Sequence, residues 1–254
     1  MNLFDATILG IIEGITEFLP VSSTAHLILG AKILNLEQTD FVKSFEIIIQ
    51  LGAILAVVTL YFKSFFNVEV LKRLVVGFLP TAVIGLLVYK RVKEYLGNIS
   101  IVLWALLIGG ILLIIFELYN KKNRNVVQTS DITIKQSVII GLCQCFAFVP
   151  GVSRSAATIV GGMMQGISRT AIAEFSFLLA VPTMMAATGL DIIKNGDTLI
   201  AGGNLGALAL GFVVSYLVAV LAIKGFLSFI KRRNFISFGI YRIVIAVIFW
   251  AFII

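Results

Sequence analysis

Apolar runs long enough to cross a bilayer recur along this whole chain, at about 44–62, 74–92, 100–119, 169–190, 206–228 and 236–254. A spanning helix rises about 1.5 Å per residue and needs roughly 20 residues to cross the hydrocarbon layer, and these runs have that length. With 59% of its 254 residues hydrophobic, 13% charged and a mean hydropathy of +1.06, the chain has more apolar surface than a soluble core can bury. The expected fold is an all-α, polytopic membrane protein, one integral membrane domain over residues 1–254 with no separate soluble domain. Met1 to Gly10 lacks a basic leader and a small-residue cleavage pattern, so the first helix is expected to belong to the fold. The net charge of +7 comes from Lys and Arg in short loops without interleaved aromatics, which excludes nucleic acid and fits a membrane surface. Cys143 and Cys145, the only cysteines, lie in an apolar stretch and read as buried thiols, too few for a disulfide framework or a zinc site.

Two stretches break the pattern. Residues 2–34 and 134–166 are apolar but interrupted midway, by Pro20-Val21-Ser22-Ser23-Thr24 and by Pro150-Gly151-Val152-Ser153-Arg154-Ser155. Each reads as a helix, a break and a second helix, a re-entrant hairpin. Gly10-x-x-Glu13 before the first break superposes, at an offset of 131 residues, on Gly141-x-x-Gln144 before the second. That self-similarity predicts two repeats, about 1–120 and about 132–254, each of one hairpin and three spanning helices. Three is odd, so the second repeat must be inverted and the hairpins must enter from opposite sides. Lys63, Lys72, Arg73, Lys121, Lys122, Arg124, Lys135, Arg169, Lys231, Arg232 and Arg233 then share one face, against Lys32, Lys43, Lys90, Arg91, Lys93 and Lys194 on the other. The positive-inside rule makes the first face cytoplasmic and puts both termini and the mouth of the first hairpin outside.

Ionisable residues at membrane depth cost a few kcal/mol each on insertion scales, so they mark function by default. Glu13 and Glu17 stand one helical turn apart, with both carboxylates on one face. Two such carboxylates repel unless a cation or a shared proton lies between them. Ser22, Ser23 and Thr24 follow in the break, then His26, the only histidine. The freed N–H groups and hydroxyls there can form an anion-binding nest. In the second break Arg154 offers a fixed, bidentate charge for phosphate, with Ser153, Ser155 and Thr158 as further donors. Together these are the parts of phosphoryl transfer: a hydroxyl or imidazole nucleophile, carboxylates to hold a metal or move protons, and a cation against developing charge. A substrate reaching such a site within the bilayer should carry an apolar tail. Plainer roles exist for each part, since hydroxyls beside a break often just satisfy freed backbone groups, and Arg154 can serve to neutralise a glutamate between repeats. Glu46, Gln50 and Glu174 lie in or near apolar helices and are candidates for the same cavity. Gln144 reads as a packing hydrogen bond, and Arg242 has no partner that the sequence identifies.

Glu13-Gly14-Ile15-Thr16-Glu17-Phe18-Leu19-Pro20-Val21-Ser22-Ser23-Thr24-Ala25-His26-Leu27 closely resembles the first signature of the bacterial undecaprenyl-diphosphate phosphatases of the bacitracin-resistance type. Pro150-Gly151-Val152-Ser153-Arg154-Ser155-Ala156-Ala157-Thr158-Ile159 resembles the second. The stretches Phe45-Glu46 through Gln50-Leu51-Gly52 and Ala173 to Pro182 are also similar to the family, so the resemblance covers nearly the whole chain. It implies removal of the terminal phosphate of undecaprenyl diphosphate to give the monophosphate carrier for cell-wall synthesis, with a divalent cation, Mg2+ or Ca2+. It further implies Glu17 as the metal or acid–base carboxylate, Glu13 in support, and Ser23 or His26 as the nucleophile. Arg154 and Ser153 hold the diphosphate, with Ser22, Thr24, Ser155, Thr158 and Gln50 as further substrate contacts. Ala25 and Ala156 stand where the family usually has glycine, which changes fine geometry and removes no chemical group. The partners expected are the lipid diphosphate and membrane lipid, with a homodimer left open. The rival from another class is a transporter or flippase of a polyprenyl phosphate, whose broken helices also meet at mid-membrane. Acid, hydroxyl and imidazole crowded between Glu13 and His26 favour catalysis over simple recognition.

Overall fold

The computed structural model describes residues 1–95, 98–120, 129–201 and 204–253, and among them every regular element is helical. In chain order these are α1 (Leu3–Thr16), α2 (Ser23–Ile33), α3 (Asp40–Leu60), α4 (Val68–Tyr95), α5 (Ile99–Tyr119), α6 (Ile134–Gln144), α7 (Arg154–Met163), α8 (Arg169–Ala201), α9 (Leu205–Arg232) and α10 (Ile236–Ile253). Polar caps set where many of them begin. Asn2 with Asp5, and Thr133 with Gln136, form capping boxes for α1 and α6, while Ser22, Thr39, Asn98, Ser153 and Asn204 each accept a backbone N–H of the helix that follows.

Five of the six apolar runs form helices long and apolar enough to span a membrane, over Asp40–Leu60, Val68–Val88, Ile99–Tyr119, Arg169–Leu190 and Leu205–Arg232. The sixth run forms α10, a shorter apolar helix among the described residues, which begins where Asn234 accepts the Ile236 N–H at 3.2 Å. Large apolar side chains such as Leu79, Leu86 and Leu87 on α4, Leu112 on α5 and Leu221 on α9 point outward, as lipid contact requires. The chain is a multi-pass membrane protein. Of the basic residues counted for its orientation, Lys121, Lys122 and Arg124 lie outside the described residues, as do the side chains of Lys90, Arg91, Lys93 and Lys194.

Small residues let the backbones approach where apolar lipid gives little drive for helix association. A Cβ on Gly14 of α1 would meet the Ser215 carbonyl of α9 at 2.7 Å, and one on Gly141 of α6 would collide with the Gly77 carbonyl of α4. The contacts repeat across the two halves. α1 packs on α9 as α6 packs on α4, α3 touches α9 as α8 touches α4, α1 folds on α2 as α6 folds on α7, and α3 meets α8 and α5 meets α10. The buried phenylalanines Phe18, Phe45, Phe175, Phe177 and Phe235 fill the interior. Cys143 and Cys145, expected to be buried, are only half-buried, because they sit at the end of α6 where the chain loosens into a 3-10 turn.

Candidate active site

Both interrupted stretches break at the residues the sequence marks. In the first, α1 ends at Thr16 and α2 starts at Ser23, with Ser22 at a φ of 72° that L side chains seldom adopt. In the second, a 3-10 turn over Cys145–Phe148 leads to Gly151 at a φ of 97°, where only glycine is unstrained, and α7 starts at Arg154. A Cβ on Gly151 would meet the Val102 carbonyl at 2.6 Å, so the break also lies directly against α5.

The two breaks touch. The Ser155 hydroxyl donates to the Leu19 carbonyl at 2.8 Å and the Ser153 hydroxyl to the same oxygen at 3.4 Å, stitching the second break to the first. Across this junction Arg154 Nη2 donates to Glu17 Oε1 at 2.7 Å, and its Nη1 donates to the Ser176 carbonyl of α8 at 2.9 Å. Phe18 supplies an aromatic face 5.9 Å from the guanidinium carbon. The other Glu17 oxygen, Oε2, accepts the Ser23 hydroxyl at 2.6 Å. One carboxylate thus holds a hydroxyl and a cation at once, and its side chain is 4% exposed against 11% for Arg154.

A cavity of about 220 Å³ lies over this junction, lined by Glu17, Ser22, Ser23, Thr24, Ser153 and Arg154 together with polar groups from α4, α6 and α8. The N-terminal ends of α2 and α7 both reach it, so their free N–H groups and positive dipole ends suit an anion. Glu13 lies behind the lining. It is fully buried, both its oxygens lack a hydrogen-bond partner, and it is within electrostatic reach of Glu17, Glu46 and Arg154.

The divalent cation that the family resemblance implies can be tested against this arrangement. No cluster of three or more His, Cys, Asp and Glu side chains suited to a metal exists among the described residues. The two orphaned oxygens of Glu13 nevertheless fit a hard cation, which commonly takes one or two carboxylates and completes its shell with water and substrate phosphate.

Other residues singled out in the sequence lie apart from the cavity. His26 Nδ1 faces the Ser22 carbonyl at 2.8 Å, and its Nε2 faces the Tyr241 hydroxyl at 2.9 Å, in a ring pair stacked 5.5 Å apart. Both nitrogens are engaged, and His26 is not part of the lining. The buried Thr158 hydroxyl is held by Ser176 Oγ at 2.6 Å and by the carbonyls of Arg154 and Ser155 at 3.0 Å, which fastens α7 to α8. Gln50 is outside the lining, one turn beyond Glu46 on α3, and Glu174 accepts the Thr129 hydroxyl at 3.0 Å.

Three lining residues escaped the sequence reading as site residues. Gln144 Nε2 donates to the hydroxyls of Thr81 at 2.8 Å and Thr183 at 3.1 Å, and its Oε1 is buried without a partner. Each threonine follows a proline inside a long helix, Pro80 in α4 and Pro182 in α8. A Pro-Thr pair within an apolar run was the available signal, since proline frees a carbonyl that draws polar side chains inward.

Known proteins agree with the motif reading. A protein named undecaprenyl-diphosphatase from Wolinella succinogenes is 50% identical over 251 residues, covering 98% of this chain and 97% of its own. One of the same name from Campylobacter hominis is 52% identical over 258 residues and the full length of both chains. Another from Aquifex aeolicus is 48% identical over 254 residues, 99% of each. The profile of the family described as bacitracin resistance protein BacA matches residues 6–248, and the chain belongs to that family.

Proposed function

We propose that the protein hydrolyses undecaprenyl diphosphate to undecaprenyl phosphate and inorganic phosphate, which recycles the lipid carrier of cell-wall synthesis and confers resistance to bacitracin. The observation that carries the reading is Glu17, which holds the Ser23 hydroxyl at 2.6 Å and the Arg154 guanidinium at 2.7 Å beside a cavity reached by two helix N-termini. A nucleophile, its base and an anion clamp meet in one place. The names of relatives about half identical over the full length support the same reaction.

In this reading the terminal phosphate sits at the ends of α2 and α7, against Arg154. Ser23 Oγ attacks its phosphorus while the hydroxyl proton passes to Glu17 Oε2. The bond from that phosphorus to the bridging oxygen breaks, and undecaprenyl phosphate leaves with the proton. Water then attacks the phosphoserine, giving its proton to Glu17, and Ser23 Oγ departs and is reprotonated. Arg154 stabilises charge on the equatorial oxygens in both steps. Glu13 and Glu17 would hold the Mg2+ or Ca2+, which supplies Lewis-acid stabilisation of the phosphate oxygens when bound. His26, with Nδ1–H donating to the Ser22 carbonyl and Nε2 accepting from Tyr241, orients the backbone that carries Ser23.

The same proposal takes the chain as one membrane domain of two inverted repeats, about 1–120 and about 132–254, each a re-entrant hairpin plus three helices. The matched contacts of α1 to α5 with α6 to α10 support it. The excess of basic residues on one face supports a cavity mouth on the outer side of the bacterial plasma membrane. Nothing in this scheme needs a second copy of the chain.

The test is phosphate release from farnesyl diphosphate by purified protein in detergent, with Ser23→Ala and Arg154→Gln beside the wild type. Release by the wild type, lost in both variants, is expected. No release from folded wild type with any divalent cation would refute the reading and favour a lipid flippase, which needs a two-sided bilayer.

A further inference from the structure

Among the described residues Arg242 is the largest fully buried side chain, 1% exposed in the middle of an apolar helix, and the reaction scheme above gives it no task. Burying a guanidinium costs several kcal/mol unless its donors are met. They are met by backbone alone. Nε donates to the Leu106 carbonyl at 3.4 Å, Nη1 to Pro20 at 3.3 Å, and Nη2 to Ala105 at 3.0 Å and Gly151 at 3.1 Å. Pro20 belongs to the first break and Gly151 to the second, where interrupted helices leave carbonyls without a partner. Leu106 and Ala105 anchor the group to α5. Among the described residues no carboxylate pairs with it, so its charge is compensated only by carbonyl dipoles. Gly151 lines the phosphate cavity, so the guanidinium stands one peptide group behind that wall. The space for it is specified from α5 as well: a Cβ on Gly109 would collide with Nη2 and lie 2.8 Å from Cζ.

We propose that Arg242 is a positioning residue for the phosphate site, fixing the two breaks against each other and keeping a permanent positive charge behind the cavity. It acts through the carbonyls of Pro20 and Gly151, which set how Ser22 and Ser23 face Ser153 and Arg154. Lysine cannot replace it, because a compact ammonium with three donors does not reach carbonyls on three separate segments, although it keeps the charge. Glutamine loses both. The proposal rests on the phosphatase reading.

The experiment measures kcat and KM for farnesyl diphosphate, thermal midpoint and elution profile in detergent for wild type, Arg242→Lys, Arg242→Gln, Gly109→Ala and the Gly109→Ala/Arg242→Lys pair. A misplaced site should lower kcat on the order of 10- to 100-fold in Arg242→Lys and Gly109→Ala, with KM within about threefold and elution unchanged. Arg242→Gln should lose kcat similarly and raise KM as well. The pair should be no worse than Arg242→Lys alone, since the shorter ammonium leaves room for the added methyl. Turnover by wild type with kcat within twofold in the folded single variants would overturn the role of Arg242 and leave the phosphatase reading standing. No turnover by wild type would instead count against that reading. Failure of all three single variants to elute as folded protein would make Arg242 a folding residue and overturn the proposal equally.

Discussion

Replacing Glu17 by glutamine asks how much of the site depends on one carboxylate. Its two oxygens serve two donors, Ser23 Oγ at 2.6 Å and Arg154 Nη2 at 2.7 Å. An amide of the same shape has one acceptor oxygen, so either the hydroxyl or the guanidinium must face an NH2 group. An unmet buried donor costs about 1–3 kcal/mol, and an arginine left without its counter-charge raises the total towards 3–5 kcal/mol. Arg154 keeps its bond to the Ser176 carbonyl and is 11% exposed, so the lower half of that range is expected. Catalysis should suffer more than stability, because the amide takes no proton from Ser23, and loss of a general base typically costs 10²–10⁴ in rate. The assay pairs phosphate release with thermal unfolding in detergent. A variant with more than about a tenth of wild-type kcat would refute Glu17 as the base for Ser23.

Other consequences are equally specific. If Ser23 is the nucleophile, acid-quenched turnover of substrate labelled in its terminal phosphate should leave acid-stable label on the protein; acid-labile label would assign the attack to His26. Glu13→Gln should raise the Mg2+ concentration needed for half-maximal activity, since an amide offers a cation one acceptor oxygen where the carboxyl group offers two; an unchanged Mg2+ titration would argue against a cation there. Gly14→Ala should lower stability by about 1–3 kcal/mol through overpacking of α1 on α9, with Ser215 and Val218 both 2.7 Å from the new methyl, as read by detergent unfolding. Ser155→Ala should cost about 1 kcal/mol by removing the 2.8 Å bond to Leu19 that joins the breaks, with a smaller effect on kcat than Ser23→Ala.

Much of this architecture is legible in local sequence, because each spanning segment must satisfy its own backbone within the bilayer. Hydropathy alone places α3, α4, α5 and α9 to within several residues and fixes the start of α8, which runs on to Ala201, while Pro with small polar residues marks both breaks. Glu17, Ser23 and Arg154, which the structure brings together, stand out in the sequence because charged and hydroxylated residues are rare at such depth. The rest depends on which helix faces which. Arg242 lies 91 residues from Gly151 and 222 from Pro20, and nothing near it in the chain announces either carbonyl. Thr81, Gln144 and Thr183 meet only because α4, α6 and α8 converge at the second break. His26 stands out in the sequence by its chemistry, and the structure places it outside the cavity lining with its two nitrogens facing the Ser22 carbonyl and the Tyr241 hydroxyl. Thr158 likewise had the right chemistry for a ligand contact and is spent on holding α7 to α8.

In the proposed reaction both breaks form one site that cleaves the terminal phosphate. This is tested most directly by incubating purified protein in detergent with undecaprenyl diphosphate, Mg2+ and water enriched in ¹⁸O, then weighing both products by mass spectrometry. One inorganic phosphate carrying ¹⁸O is expected for each unlabelled undecaprenyl phosphate, with turnover lost in Glu17→Gln. Label in the lipid product, release of intact diphosphate, or no turnover by folded wild type would contradict it.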